Sequence, residues 1–223
     1  MSTELRAEVA AAARRLAAAG LLVGTAGNVS LREGDRVAVT ATGVVLGDCA
    51  PDDVTLVSLG GEVLEGGLRP TSELDLHLGV YAADPGVAAL VHTHAPYSTA
   101  IACVLDELPV LHYQQLTLGG TIRVAPYATF GSVELAGHVH DALVGRRAAL
   151  MANHGSVAVG TSLHQAVEHA LLLEWLATLH CRASALGTPR VLTEDQQLDV
   201  ITAAITRGYG TTHPLPDPPG EPT

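Results

Sequence analysis

The stretch AALVHTHAPYSTA, residues 88–100, carries an apolar run into two histidines one residue apart and then into a polar segment started by a proline. If Leu90 to His94 is a β-strand, successive side chains alternate between faces, so His92 and His94 share one face within reach of a single ion. A pair of exposed or hydrogen-bonded histidines near a strand end fits the same spacing. The choice between the two depends on what else the chain brings to that face.

Outward from this strand the pattern alternates between short strands and helices. Downstream, a helix is expected from about Tyr97 to Leu105. Upstream, TSELDLHLGVYAADPG (71–86) places Leu74, Leu78 and Tyr81 at helical spacing, with Thr71 or Ser72 as N-cap and Asp84–Pro85–Gly86 as the stop. The alanine-rich opening helix ends near Gly20. NVSLREGDRVAVTATG (28–43) reads as a hairpin around Glu33–Asp35, and DDVTLVSLGGEVLEGG (52–67) as a second one turning at Gly60–Gly61. GSVELAGHVHDALVG (131–145) reads as a helix capped by Ser132, and AALMANHGSVAVG (148–160) as two strands broken at His154–Gly155. The longest helix closes at Gly187, and TEDQQLDVITAAITRG (193–208) forms one more. These elements specify a mixed or antiparallel sheet flanked by helices in one α/β layered domain, residues 1–210. The remainder, 211–223, is a flexible proline-rich tail.

A chain of 223 residues, 48% of them hydrophobic, supports one substantial core. With 12 Lys+Arg against 23 Asp+Glu and a net charge of −11, it lacks the basic face that nucleic acid or an anionic membrane requires, so a small ligand is expected. The N-terminal segment carries charge at Glu4, Arg6, Glu8, Arg14 and Arg15 and reads as neither signal peptide nor membrane span, which places the protein in the cytoplasm. Cys49, Cys103 and Cys181, odd in number and far apart, fit reduced thiols better than disulfides or a cysteine zinc site.

A catalytic zinc site commonly has three protein ligands and an open position. His92 and His94 supply two. His154, in NHG, ends a buried strand and is followed by a glycine that lets the backbone turn away, so it is the candidate third, although a loop histidine at a turn has the same pattern. Glu73, just inside the first turn of its helix, is the carboxylate candidate; an acidic residue there also favours the helix dipole with no further role. Asp75 and Glu134 are assigned structural positions. His77, His112, His138, His140, His164, His169 and His180 lie on or beside helices and are expected to be exposed or satisfied in packing.

Four segments in order, GTAGNVS, TSE with its helix, HTHAPYSTA and NHG, resemble the class II aldolase and adducin-head family, with HYQQLTLGG and VAPYATFGSVELA at matching intervals. The resemblance spans residues 5 to about 210. It implies a three-layer sandwich with a mainly antiparallel central sheet and a Zn2+ held by His92, His94, His154 and Glu73, with Mn2+ or Co2+ as substitutes offered by the same donor set. It also implies cleavage of a ketose 1-phosphate, such as L-fuculose 1-phosphate, to dihydroxyacetone phosphate and an aldehyde, Glu73 serving as acid and base. Adducin heads, non-enzymatic interaction modules of similar fold, lack ligands of this kind. Related epimerases carry Asp where this chain has Glu73, whereas dehydratases and decarboxylases of the family keep Glu, so these three reactions stand as alternatives.

Thr25, Gly27, Asn28, Thr42, Gly43, Thr71 and Ser72 fall in loops that offer backbone N–H and hydroxyl donors beside a helix N-terminus, though each loop also reads as ordinary turns and caps. The resemblance assigns the last five, Asn28, Thr42, Gly43, Thr71 and Ser72, to phosphate binding, with threonine at Thr42 and Thr71 keeping the hydroxyl found as serine in relatives. It implies that Tyr113 reaches in from a neighbouring subunit to the substrate's C4 oxygen, that Tyr209 covers the bound substrate, and that the assembly is a homotetramer with interface sites.

Overall fold

In the computed structural model, which describes residues 2–212, the chain opens with helix α1 (Ser2–Ala18). Its buried Leu5, Val9, Ala12, Ala13 and Leu16 repeat at helical spacing and form one apolar stripe. Two hairpins follow, β1 (Asn28–Glu33) with β2 (Arg36–Thr40) and β3 (Val54–Ser58) with β4 (Val63–Glu65). They turn at Gly34 (φ 60°) and Gly61 (φ 84°), a left-handed conformation that glycine adopts freely. Next come α2 (Leu74–Ala83), β5 (Ala89–Thr93), α3 (Pro96–Ala102), the two-residue β6 (Glu107–Leu108), a 3-10 turn over Tyr113–Leu118, β7 (Ile122–Ala125) and α4 (Val133–Leu143). The series closes with β8 (Ala148–Met151), β9 (Gly155–Gly160), α5 (Leu163–Leu186) and α6 (Glu194–Arg207).

The strands form one sheet in the order β4-β3-β2-β1-β5-β9-β8-β7-β6. β7 and β8 run parallel and the remaining pairs are antiparallel. The central strands β5, β8 and β9 are buried at every residue, whereas β4 at the edge is exposed throughout. Alternation along the strands divides the core. Ala89 and Val91 of β5 face a cluster with α1, α3 and α5, while Leu90 joins Ala149, Met151, Val157 and Val159 against α2 and α4. Each such Leu or Val contributes roughly 1.5–3 kcal/mol on burial, and a one-residue slip of β5 would turn every side chain into the opposite layer, misfitting both clusters and misplacing both histidines. This is the three-layer, mainly antiparallel sandwich expected from the sequence.

The described residues fall into two compact units that divide between Val191 and Leu192. The first holds the whole sheet. Helix α6, read from the sequence as part of the domain ending at 210, falls in the second, where Thr193 and Gln196 close a reciprocal capping box and Gly208 (φ 57°) ends the helix. Of the expected tail, residues 213–223 lie outside the described residues. No helix among the described residues is long and apolar enough to cross a membrane.

Candidate active site

His92 shares the face of Leu90, toward α2 and α4, and its neighbours across the sheet are Asn28 of β1 and Val157 of β9. His94 lies one residue beyond β5. Because β9 runs antiparallel, its first residues adjoin the end of β5, with Thr93 opposite Ser156, and the β8–β9 turn delivers His154 to the same place. The left-handed residue of that turn is Asn153 (φ 55°), not Gly155. Gly155 is needed for a different reason: a Cβ there would stand 2.4 Å from the Thr93 carbonyl oxygen and 3.3 Å from carbons of both the His92 and His94 rings. The ring centroids are 4.7 Å (His92–His94), 4.9 Å (His92–His154) and 5.0 Å (His94–His154) apart, and one donor nitrogen from each lies within 4.8 Å of the others.

Glu73 corrects a detail of the sequence reading. It is itself the N-cap of α2, its side chain making no cap bond, and neither Thr71 nor Ser72 caps the helix. Thr71 Oγ1 instead accepts from the Glu73 backbone N–H at 3.2 Å, which leaves the carboxylate free to turn inward. Its Oε2 lies 3.1 Å from His92 Nε2 and its Oε1 3.5 Å from His154 Nε2; Asn28 Nδ2 donates to Oε2 at 2.9 Å. Burial alone would raise the Glu73 pKa, but the contacts with His92, Asn28 and His154 outweigh it and hold the carboxyl well below the usual range. Burial, with the neighbouring imidazoles second, lowers His94 to about 4 and also lowers His154.

These donors fit a divalent cation. His92 Nδ1 donates to the Ser156 carbonyl oxygen at 3.0 Å, which leaves Nε2, 3.1 Å from Glu73 Oε2 and 2.9 Å from His94 Nε2, as the atom that holds either a proton shared with the carboxylate or a cation in its place. Glu73 Oε1 is buried with no hydrogen-bond partner. Donor atoms of four side chains thus converge on one point, and three imidazole nitrogens beside a carboxylate are a donor set for zinc and similar divalent ions. The three imidazoles form the group able to hold the ion, with Glu73 against two of them.

A cavity of about 480 Å³ opens onto this group. All seven loop residues singled out in the sequence line it: Thr25, Gly27, Asn28, Thr42, Gly43, Thr71 and Ser72, together with Glu73, His94 and His154. The Thr42 and Thr71 backbone N–H groups already donate to the Arg69 and Thr40 carbonyls, so what these two residues offer an anion is the hydroxyl. Tyr127 and Phe130, in the loop after β7, and Asn153, in the β8–β9 turn, also line the wall; Phe130 agrees with a reading of the aldehyde half near it, whereas no chemical motif in the sequence points to Tyr127 or Asn153. Tyr113 does not line the cavity; it is 40% exposed on the 3-10 turn, its ring 4.5 Å from that of His112. Tyr209 lies in the second unit, just after α6.

His77, expected with the other helix histidines to be exposed or satisfied in packing, is wholly buried and satisfied by Asn28 and Ser30; what the sequence reading did not find is that these partners stand behind Glu73. The signal was spacing: His77 is one helical turn beyond Glu73, and Ser30 is two residues beyond Asn28 on the same strand face.

Residues 7–181 match the family described as Class II Aldolase and Adducin N-terminal domain. The chain belongs to that family. This class II aldolase is 40% identical over 209 residues to the 5-methylthioribulose-1-phosphate/5-deoxyribulose-1-phosphate aldolase of Rhodospirillum rubrum, covering 93% of each chain. It is 37% identical over 183 residues to the L-fuculose phosphate aldolase of Escherichia coli, covering 82% of this chain and 85% of that one. A solved L-fuculose 1-phosphate aldolase superposes with a TM-score of 0.86 at 32% identity, covering 90% of this chain and 95% of the other. The chain is therefore an enzyme, an aldehyde-lyase of the metal-dependent class II type, and the non-enzymatic adducin-like module is set aside.

Proposed function

We propose that this class II aldolase reversibly cleaves the C3–C4 bond of a ketose 1-phosphate with a short apolar end, of the 5-deoxyribulose or 5-methylthioribulose kind, to dihydroxyacetone phosphate and an aldehyde. The observation that carries this reading is the single cavity joining the histidine group to loops of hydroxyl and amide donors. Its size suits a small metabolite. The apolar end is favoured over the polar chain of a common sugar by Tyr127 and Phe130 on the cavity wall, and the relative at 40% identity is named for such substrates.

In this reading His92, His94 and His154, with Glu73, hold one Zn2+ per subunit, for which Mn2+ or Co2+ would substitute. When bound, the ion supplies Lewis-acid chemistry against negative charge developing beside a carbonyl. The substrate phosphate sits on Thr25, Gly27, Asn28, Thr42, Gly43, Thr71 and Ser72, where hydroxyls, amide N–H groups and the start of α2 replace a lysine. As the C3–C4 bond breaks, the C4 hydroxyl proton leaves and C3 gains one. Contacts with His92 and His154 keep Glu73 ionised; once substrate parts those contacts, burial, the largest single influence on the carboxyl, raises its pKa, so it takes up the proton released from the C4 hydroxyl and delivers it to C3. Tyr113 of a neighbouring subunit serves the C4 oxygen, its phenol both donor and acceptor, and Tyr209 covers the substrate. The exposure of Tyr113 outside its own cavity agrees with a homotetramer whose sites lie at subunit interfaces. Three free cysteines suit a cytoplasmic site of action.

The test is release of dihydroxyacetone phosphate from 5-deoxyribulose, 5-methylthioribulose and L-fuculose 1-phosphates, with and without a chelator. Chelator-sensitive release led by the first two supports the proposal, and a lead for L-fuculose 1-phosphate would move the substrate. No release by metal-loaded protein would overturn it in favour of epimerisation, dehydration or decarboxylation on the same scaffold.

A further inference from the structure

We propose that His77 is a positioning residue for this site: it locks the Asn28 side-chain amide with its N–H donors toward Glu73 and the cavity. The inference rests on reading that cavity as the phosphate site.

Five buried side chains form one chain of hydrogen bonds. Tyr81 Oη lies 2.6 Å from Ser30 Oγ, Ser30 Oγ 2.6 Å from His77 Nδ1, His77 Nε2 2.5 Å from Asn28 Oδ1, and Asn28 Nδ2 2.9 Å from Glu73 Oε2. Only one arrangement of protons satisfies every atom. The Glu73 carboxylate accepts, so Asn28 presents Nδ2 to it and Oδ1 to His77. Oδ1 accepts in turn, so His77 carries its proton on Nε2. Nδ1 then takes the Ser30 O–H, and Ser30 takes the Tyr81 O–H. Every bond points the same way, toward Glu73, and such aligned bonds strengthen one another. Burial holds the imidazole neutral, lowering its pKa to about 3, so Nδ1 stays an acceptor.

A flipped amide would set Oδ1 against the carboxylate and remove both N–H donors from the site. One donor meets Glu73; the second is left for the cavity, which Asn28 lines together with Gly27 and Thr71. Glu73 alone cannot maintain this orientation once substrate draws it away or protonates it. His77 can, because Ser30 and Tyr81 anchor it from behind and it is not among the residues that line the cavity.

His77→Leu removes the N–H donor, and His77→Gln keeps one at similar reach. For metal-loaded protein, the readouts are affinity for inorganic phosphate by calorimetry, kcat and KM, metal content and thermal midpoint. The expected result for His77→Leu is retained metal, phosphate affinity about tenfold weaker and kcat reduced about 10- to 100-fold, the range for losing one charge-assisted hydrogen bond. His77→Gln should recover most of both. Should His77→Leu fail to fold, Ser30→Ala keeps the imidazole but removes the hydroxyl that sets its tautomer, and about threefold or more should be lost in phosphate affinity. Phosphate affinity within twofold of wild type in the folded variant, or a Gln variant no better than Leu, would overturn the proposal. Wild-type protein that binds no phosphate would refute the phosphate reading of the cavity itself, and the inference with it.

Discussion

Gly155→Ala tests the geometry of the histidine group without touching a ligand. The φ of Gly155 is not in the left-handed region, so alanine meets no backbone penalty there; the whole effect comes from the new Cβ, 2.4 Å from the Thr93 carbonyl oxygen. To reach even 3.0 Å, β5 and β9 must part by about 0.6 Å at the point where Thr93 pairs with Ser156. Thr93 sits between His92 and His94, so its peptide cannot retreat without carrying both imidazoles away from His154. Overpacking of this kind costs roughly 1–3 kcal/mol, or a thermal midpoint lower by about 2–12 °C in a chain of this length. A shift approaching 1 Å at a reacting centre costs up to about a hundredfold in rate, so metal affinity and kcat should both fall by at least about tenfold. Gly79→Ala is the control: it makes the same chemical change inside α2, where a Cβ meets nothing within 4 Å, and should be neutral or stabilise by about 0.5–1 kcal/mol. Calorimetry, metal analysis and steady-state cleavage measure all three quantities. A Gly155→Ala protein with wild-type midpoint and metal affinity would show that the close approach of β5 and β9 does not organise the site.

Glu73→Gln keeps shape and a hydrogen-bonding oxygen, so metal should remain largely bound while kcat falls about 100-fold or more; near wild-type turnover would remove Glu73 from proton transfer. His94→Ala should lose metal and activity together, and a metal-loaded, active variant would exclude that imidazole from the site. Buried neutral His77 makes the metal-free protein acid-sensitive: its folded pKa of about 3 lies below the ordinary 6.5, so the unfolded chain binds the extra proton. Stability is therefore full above pH 6.5 and falls as pH drops toward 3, by an amount on the order of a few kcal/mol. The urea midpoint of the His77→Gln variant should change less between pH 7 and 4, and an unchanged slope would refute this account.

Features of local origin were legible in the sequence. Alternation in LVHTH placed His92 on a single face, helical spacing in α4 placed its cap at Ser132, whose Oγ accepts from Leu135 N–H, and hydroxyl and glycine loops marked the cavity wall. What was not legible depends on contacts between distant segments. Glu73 as N-cap, rather than first-turn residue, follows from Thr71 Oγ1 taking its backbone N–H, and the inward turn of its carboxylate depends on Asn28, 45 residues earlier. Gly155 looked like a turn glycine because a sequence shows neighbours along the chain and not the Thr93 carbonyl across the sheet.

His77 shows the same limit from the polar side. On composition alone it is one of 11 histidines, seven of them on or beside helices, and helical spacing predicts only that it faces the way Glu73 does. Its partner Ser30 lies 47 residues away, reachable because β1 pairs with β5 and α2 covers both. An apolar residue would fill that position without exposing a polar group to burial, as Leu76 and Val80 do in the same cluster. A histidine there costs desolvation unless every nitrogen is satisfied, and both are, by Asn28 and Ser30. That cost has no return in packing, and its one distinctive product is the fixed orientation of the Asn28 amide beside Glu73.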